Sequence, residues 1–284
     1  MDRLSRLVVA LAACALALAV ADAADGARPR IVSLAPHITE LLFAAGAGAQ
    51  VVGATEYSDF PAEARALPRI GNAFRFDYER IVALRPDFAV AWRTGTPAEV
   101  VVRLEALGVR VITVPVQSLE DIGTAIEELG RLAGTGREAT EAAARFRREL
   151  AATAANYAGR APVRVFVELD HRPLFTVTGR HLISEMVALC GGVNVFASLP
   201  GLAPSVDLEA VVAAAPEAIL YTGPDADPAR EWRGRNEIPA VRRGEVLRVP
   251  ADLVSRATPR AASGMRAVCE AIESVRARRA VATH

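Results

Sequence analysis

The chain is 284 residues long and balances 33 basic against 33 acidic side chains, so it has no net charge and lacks the electrostatic footprint of a nucleic-acid binder. Every basic residue is arginine, which excludes chemistry that needs a Schiff-base lysine or a phosphate-loop lysine. With 52% hydrophobic and 23% charged residues the chain can bury a sizeable core, so intrinsic disorder is excluded, and the length fits two compact lobes or one large α/β domain.

The N-terminus reads as an address. Arg3 and Arg6 precede an unbroken apolar run from Leu7 to Ala21. As a helix this run would span about 22 Å, short of a bilayer core of about 30 Å. Ala21-Asp22-Ala23 then supplies a small-x-small cleavage pattern, so residues 1–23 are expected to be a secretory signal peptide cut near Ala23 or Ala24. In a competing reading Leu11-Ala12-Ala13-Cys14 is a lipoprotein box with Cys14 lipidated. The apolar residues that continue after Cys14, where a lipoprotein carries a polar tether, speak against it. With Cys14 removed, Cys190 and Cys269 remain. In an oxidising compartment an even pair favours a disulfide, and two buried thiols are the alternative. A bridge closing a loop of about eighty residues would stabilise by roughly 4–5 kcal/mol in the chain-entropy model.

The mature chain alternates short β-rich runs with helical stretches. Ile31 to Leu34, Val51 to Thr55, Phe88 to Trp92 and Val109 to Val114 are predicted strands. Between and after them, Ile38 to Ala45, Tyr78 to Leu84, Pro97 to Leu107 and Leu119 to Leu132 follow helical patterns. Such alternation argues for a parallel sheet with helices on both faces. Gly136 to Tyr157 has no proline and is dense in Ala, Glu and Arg, a strong helix stopped by Gly159 and Pro162. At 1.5 Å per residue it would be about 33 Å long, enough to bridge two lobes as a stiff rod that limits hinge closure. A second series follows: strands at Arg164 to Leu169, Ala218 to Thr222 and Val246 to Val249, with helices at His181 to Leu189, Leu208 to Ala214 and Pro259 to Val275.

The two series repeat each other. Asp77-Tyr78-Glu79-Arg80-Ile81-Val82-Ala83 leads to Pro86-Asp87 and a strand, and Asp207-Leu208-Glu209-Ala210-Val211-Val212-Ala213 leads to Pro216-Glu217 and a strand. Thr39-Glu40-Leu41 running to Gly46 echoes Ser184-Glu185-Met186 running to Gly191. The simplest account is two related α/β lobes facing one another.

No catalytic constellation emerges: there is no nucleophile elbow, phosphate loop or dinucleotide fingerprint after a strand. Gly46-Ala47-Gly48 follows a helix and reads as its stop. The four histidines, at 37, 171, 181 and 284, share no metal-ligand spacing, and His37 reads as a polar loop residue near a cleft. Tyr57, Phe60, Phe74, Phe76, Tyr78 and Trp92 crowd the strand ends of the first series, where ligands of parallel sheets collect and apolar walls suit a large flat molecule. Core aromatics under loops are the alternative for about half of them. Glu79 and Glu209 each lie two residues after an Asp able to cap a helix. They are either carboxylates stabilised at helix N-termini or a duplicated docking handle for a two-fold partner.

Arg30-Ile31-Val32-Ser33-Leu34-Ala35-Pro36 with Thr39-Glu40-Leu41, and Tyr57-Ser58-Asp59-Phe60-Pro61, resemble the periplasmic cobalamin-binding proteins of ABC importers, members of the helical-backbone metal-chelate receptors. So do Glu79 to Leu84 before Pro86-Asp87, Ala91-Trp92-Arg93, and Cys190-Gly191-Gly192-Val193-Asn194-Val195-Phe196. The resemblance covers essentially the whole mature chain. It implies an α/β fold of the class III periplasmic binding proteins: two Rossmann-like lobes with parallel-type sheets, over residues 28–134 and 161–279, joined by a single long rigid α-helix over 135–160. It implies a monomer without catalysis, cofactor or metal site that captures cobalamin or a related corrinoid in the interlobe cleft. The ligand would pass to a permease dimer with its ATPase.

Residue by residue, the resemblance places Tyr57, Trp92 and Phe175 on the corrinoid cleft, with Phe74 close to another position of its wall. Asp252 and Arg256 match polar residues of the second-lobe loop before Pro259-Arg260. Glu79 and Glu209 match the two glutamates that pair with permease arginines, and Cys190 and Cys269 match a disulfide. Leu253 and Ala203 depart from the pattern, standing where tryptophans would be expected. A ferric-siderophore or haem binder of the same fold is the alternative function, and a periplasmic enzyme without a recognisable motif a distant one. The Tyr57-Ser58-Asp59 segment favours cobalamin.

Overall fold

The computed structural model describes residues 28–73, 75–223 and 227–282. The predicted signal peptide, with Cys14, and the candidate cleft residue Phe74 lie outside the described residues. The first half builds β1 (Ile31–Ser33), α1 (Pro36–Ala44), β2 (Val51–Ala54), α2 (Tyr78–Ala83), β3 (Phe88–Trp92), α3 (Ala98–Ala106) and β4 (Val111–Val114). Its four strands form one parallel sheet in the order β2-β1-β3-β4. β1 is buried along its whole length, as expected of a parallel strand covered on both faces.

Two helices follow, α4 (Leu119–Ala133) and α5 (Gly136–Tyr157). The second half then runs β5 (Val163–Glu168), β6 (Asp170–His171), β7 (Leu174–Phe175), α6 (Leu182–Leu189), β8 (Gly192–Asn194), α7 (Leu208–Ala214) and β9 (Ala218–Tyr221). It closes with α8 (Pro239–Arg242), β10 (Val246–Arg248), α9 (Ala251–Val254) and α10 (Ala261–Ala282). Its parallel sheet has the order β10-β9-β5-β8, which read from the other edge is the topology of the first sheet. Strands β6 and β7 form a separate antiparallel hairpin.

The repeat seen in the sequence is a repeat of local chemistry. Asp77 and Asp207 cap α2 and α7 by accepting from Arg80 N–H at 3.0 Å and Ala210 N–H at 2.7 Å. After each helix the chain passes through a left-handed residue, Arg85 at φ 48° and Ala215 at φ 43°. A clasp then ties each turn to the strand beside it. Arg30 N–H donates to Asp87 and its guanidinium to Leu84 C=O; Arg164 N–H donates to Glu217 and its guanidinium to Ala214 C=O. Gly46 and Gly191, at φ 79° and 71°, stop α1 and α6 in the left-handed conformation that favours glycine.

The connector differs from a free-standing rod. α5 packs along α4 and against α10, burying Ala139, Ala143 and Phe146. Arg147 of α5 pairs with Glu120 and Glu127 of α4 at 2.8 and 2.9 Å. One apolar core runs from Ile31, Leu41 and Val90 of the first half through Ile126 and Phe146 to Val165, Met186 and Met265 of the second. The two lobes therefore share a core as well as a connector, which resists hinge motion more strongly than helix stiffness alone. A disulfide joins Cys190 to Cys269 with an S–S distance of 2.02 Å, tying the end of α6 to α10 and excluding the two-thiol alternative. The last helix begins two residues later than expected and runs past Val275 to Ala282, because Thr258 to Arg260 form the turn that enters it. Among the described residues, no helix is long and apolar enough to cross a membrane.

Candidate functional site

Ligands of open parallel sheets bind beyond the carboxyl ends of the strands, and the site is built from there. β1 ends at Ser33 and delivers His37, on the first turn of α1, not on a loop as expected. β3 ends at Trp92, whose ring meets His37 edge-on with centroids 5.0 Å apart. Trp92 N–H donates to Thr96 Oγ1 at 3.0 Å, closing a turn over the indole. A Cβ at Gly95 would fall 1.9 Å from the ring, so only glycine fits there.

Tyr57 is 73% exposed and has a left-handed backbone, φ 63°. For a tyrosine this conformation costs on the order of 1–3 kcal/mol and persists only where the surroundings enforce it. The enforcing group is a buried hydroxyl cluster: Thr39 Oγ1 lies 2.8 Å from Ser33 Oγ and 3.0 Å from Ser58 Oγ, next to Tyr57 in the chain. The polar cluster Thr39–Ser58 thus pins the segment that holds an aromatic ring in solvent.

The second lobe supplies the loop that follows α9. Arg256 sits with its guanidinium 3.5 Å from Asp59, 3.7 Å from Glu40 and 3.9 Å from Asp252. It faces carboxylates of both lobes. Arg260 donates two hydrogen bonds to Glu40, at 2.8 and 2.7 Å, and its guanidinium lies 4.4 Å from the Phe60 ring centroid. That bidentate contact raises the Arg260 pKa above its ordinary value. Glu40 itself is only 3% exposed. Burial, with the positive charge of Arg256 as a smaller cause, pushes the His37 pKa down to about 4, so the imidazole is neutral at physiological pH.

The structure therefore brings Trp92 together, through His37, with Arg256, Asp252 and the segment Tyr57–Asp59. Phe175 is half-buried on the hairpin, pairing with Asp170 and bridging to Ser205 within its own lobe. The hairpin is held by buried Glu168, which lies 2.7 Å from His171 Nδ1 and accepts from Trp232 Nε1 at 2.7 Å. Desolvation raises the Glu168 pKa, opposed by these two hydrogen bonds. Glu79 and Glu209 are exposed in the first turns of α2 and α7. Sequence reasoning did not single out Asp59, Arg260, Glu168 or Trp232 as interacting groups; Glu40 was visible only within a repeat and within one of the segments that carry the family resemblance.

A cavity of about 450 Å³ lies beside this cluster, lined by Glu40, Phe43, Phe60, Pro61, Pro259 and Arg260 among others. It shares Glu40 and Arg260 with the site but contains none of Tyr57, Trp92, Phe175, Asp252 or Arg256. The exposed ring of Tyr57 and Arg256 with its three carboxylates lie in the segments that follow β2 and β10. Among the described residues, no three His, Cys, Asp or Glu side chains converge to hold a metal ion.

Residues 31–253 match the family model described as periplasmic binding protein. The chain belongs to that family. A vitamin B12-binding protein of Vibrio parahaemolyticus is 38% identical over 252 residues, covering 88% of this chain and 91% of the relative. The solved structure of the periplasmic vitamin B12-binding protein BtuF of Vibrio cholerae superposes with a TM-score of 0.79 at 33% identity, over 88% of this chain and 98% of that one. The periplasmic heme-binding protein RhuT from Roseiflexus superposes with a TM-score of 0.74 at 23% identity, over 87% and 99%, a likeness of fold alone. Arg256, from the second half, faces Glu40 and Asp59 of the first half and Asp252 of its own.

Proposed function

We propose that this chain is a periplasmic substrate-binding protein that captures cobalamin or a related corrinoid between its lobes and delivers it to the permease dimer of an ABC importer. What supports this reading is the likeness of most of the chain to vitamin B12-binding proteins, together with an arginine, Arg256, that reaches Asp59 of the first half and Asp252 of the second. Tyr57 and Trp92 offer flat apolar surface to the macrocycle, and Phe74 and Phe175 belong to the same ligand-binding set in this reading. Asp252 and Arg256 exchange their present ion pair for hydrogen bonds to peripheral amides. The two lobes, 28–134 and 161–279 with 135–160 between them, act as a monomer that binds and releases without chemistry. Residues 1–23 direct export and are removed.

Glu79 and Glu209 serve the permease in this reading. Both project from the first turn of equivalent helices with equivalent Asp caps and are exposed. A homodimeric permease offers the same arginines twice, matching a duplicated handle.

Titration of the purified protein with cyanocobalamin, haem and ferric siderophores, followed by desalting, tests the ligand. Stoichiometric retention of cyanocobalamin is expected. Retention of haem or a siderophore in its place would replace the ligand class, and turnover of any of them would overturn the receptor reading.

A further inference from the structure

Two glutamates that the sequence repeats are each used by the opposite lobe. Glu40 in α1 and Glu185 in α6 both stand six residues before the left-handed glycine that ends their turn, Gly46 and Gly191. Glu40 belongs to the first half, yet its buried carboxylate accepts both hydrogen bonds from Arg260, at the entrance to α10 in the second half. Glu185 belongs to the second half, yet its Oε2 accepts from Leu119 N–H at 2.8 Å, the first residue of α4. The capping box of α4 satisfies its neighbours: Asp121 accepts from Gln117 and Ser118 N–H, and Ser118 accepts from Asp121 N–H. Leu119 N–H, one of the orphan donors of a helix start, is left for the other lobe's carboxylate.

We propose that Glu40 and Glu185 are a reciprocal pair of interlobe latches that fix the geometry of the cleft, acting as positioning residues that do not touch the ligand. Glu40 sets the loop that carries Arg256 and follows α9 with its Asp252, since it grips Arg260 and lies 3.7 Å from Arg256. Glu185 fixes α6 to the helix that leads out of the first sheet. A carboxylate–guanidinium fork and a carboxylate on a helix N–H are both sharply directional, so each latch selects one arrangement of the lobes. The shared apolar core opposes hinge opening but its contacts are non-directional, so the fine alignment of the lobes is left to the directional latches. The affinity consequence rests on the corrinoid reading above; the latch geometry does not.

Spin labels at exposed Val102→Cys and Val193→Cys, one in each lobe, report the interlobe distance by double electron–electron resonance. In the unliganded protein, E40A and E185A should each broaden the distance distribution. Cyanocobalamin affinity should fall roughly tenfold, as when the competent arrangement drops to about a tenth of the population. Saturating cyanocobalamin should restore the narrow distribution. E185Q keeps an acceptor oxygen for Leu119 N–H and should match wild type in both readouts. R260K removes the fork from the other side, keeps the charge, and should reproduce E40A even if E40A does not fold. A distribution unchanged in E185A and R260K overturns the latches, and broadening without loss of affinity overturns their positioning role. A wild-type protein that ignores cyanocobalamin defeats the corrinoid reading alone, while the distance measurement still decides the latches.

Discussion

Acidification from pH 7.5 to 4.5 should destabilise this protein by about 5 kcal/mol through two histidines. His37 and His181 both have native pKa values lowered from 6.5 to about 4, chiefly by burial. His181 has a further reason to stay neutral: its Nδ1 caps α6 by accepting from Ile183 N–H at 3.1 Å, which a protonated nitrogen cannot do. The sign follows from which state binds the proton. Between pH 6.5 and 4 the unfolded chain is protonated at both histidines and the native protein is not, so stability falls with pH across that window. Each histidine contributes about 2.5 kcal/mol by pH 4.5. Glu168 works in the opposite direction, since burial raises its pKa and the native state gains from its protonation as the pH falls.

Comparison of variants isolates the two histidines from every other titrating group. His181→Asn keeps a side-chain acceptor for the first turn of α6, and His37→Phe keeps a ring against Trp92 and removes a buried nitrogen that lacks a hydrogen-bond partner among the described residues. The double variant should unfold at a urea concentration near that of wild type at pH 7.5. At pH 4.5 it should have lost about 5 kcal/mol less. Parallel stability curves for the two proteins between pH 7.5 and 4.5 would refute the assignment of neutral, proton-excluding environments to His37 and His181. Because His37 packs on Trp92, the same titration bears on the candidate site: a charge at His37 would be set against the aromatic wall proposed for the ligand.

Trp92→Ala should weaken cyanocobalamin binding by about 1–3 kcal/mol with circular dichroism unchanged, as for an aromatic anchor in a desolvated pocket; unaltered affinity in a titration would remove Trp92 from the site. Cys190→Ser with Cys269→Ser should lower stability by roughly 4–5 kcal/mol, given the 79-residue separation, measured by urea unfolding against the oxidised protein. Glu79→Ala with Glu209→Ala should abolish uptake in a reconstituted importer while leaving affinity in solution nearly unchanged, since losing one partner of a desolvated carboxylate–arginine pair costs roughly 2–5 kcal/mol; normal uptake would reduce both to helix-end charges. The intact mass of the exported form should begin near Ala24 or Asp25, and a lipidated Cys14 at its N-terminus would contradict the cleavage reading.

The repeat was legible because its signals are local. An Asp before a helix, a glycine after one and a Pro-acid pair before a strand act over three or four residues, and each reappears in the structure as a cap, a left-handed stop or a clasp. The parallel sheets followed from alternation of elements. Short pieces were missed for the converse reason. The edge strand β8 of the second sheet, the hairpin β6–β7 and the helices α8 and α9 span two to four residues per element, too few for any periodicity to develop. The hairpin is held instead by Glu168, which meets His171 of β6 and accepts from Trp232, 64 residues away.

The pairing of the halves was the least legible feature, and the duplication explains why. Glu40 meets Arg260 across 220 residues of chain, and Glu185 meets Leu119 across 66 in the other direction. Two carboxylates in equivalent places of two facing lobes are brought to equivalent places of the boundary, whatever they find there. One finds a guanidinium and the other a helix N–H, so the partners are chemically unlike even though the positions correspond. A search for matched ion pairs would pass over them, since only one is an ion pair. The same reasoning separates Glu40 from Arg256: the cleft arginine has three carboxylates at 3.5 to 3.9 Å and no short fork with any of them. Arg260 is engaged through a fork with Glu40; in the function proposed above, Arg256 is the cation that exchanges its longer carboxylate contacts for a polar ligand edge.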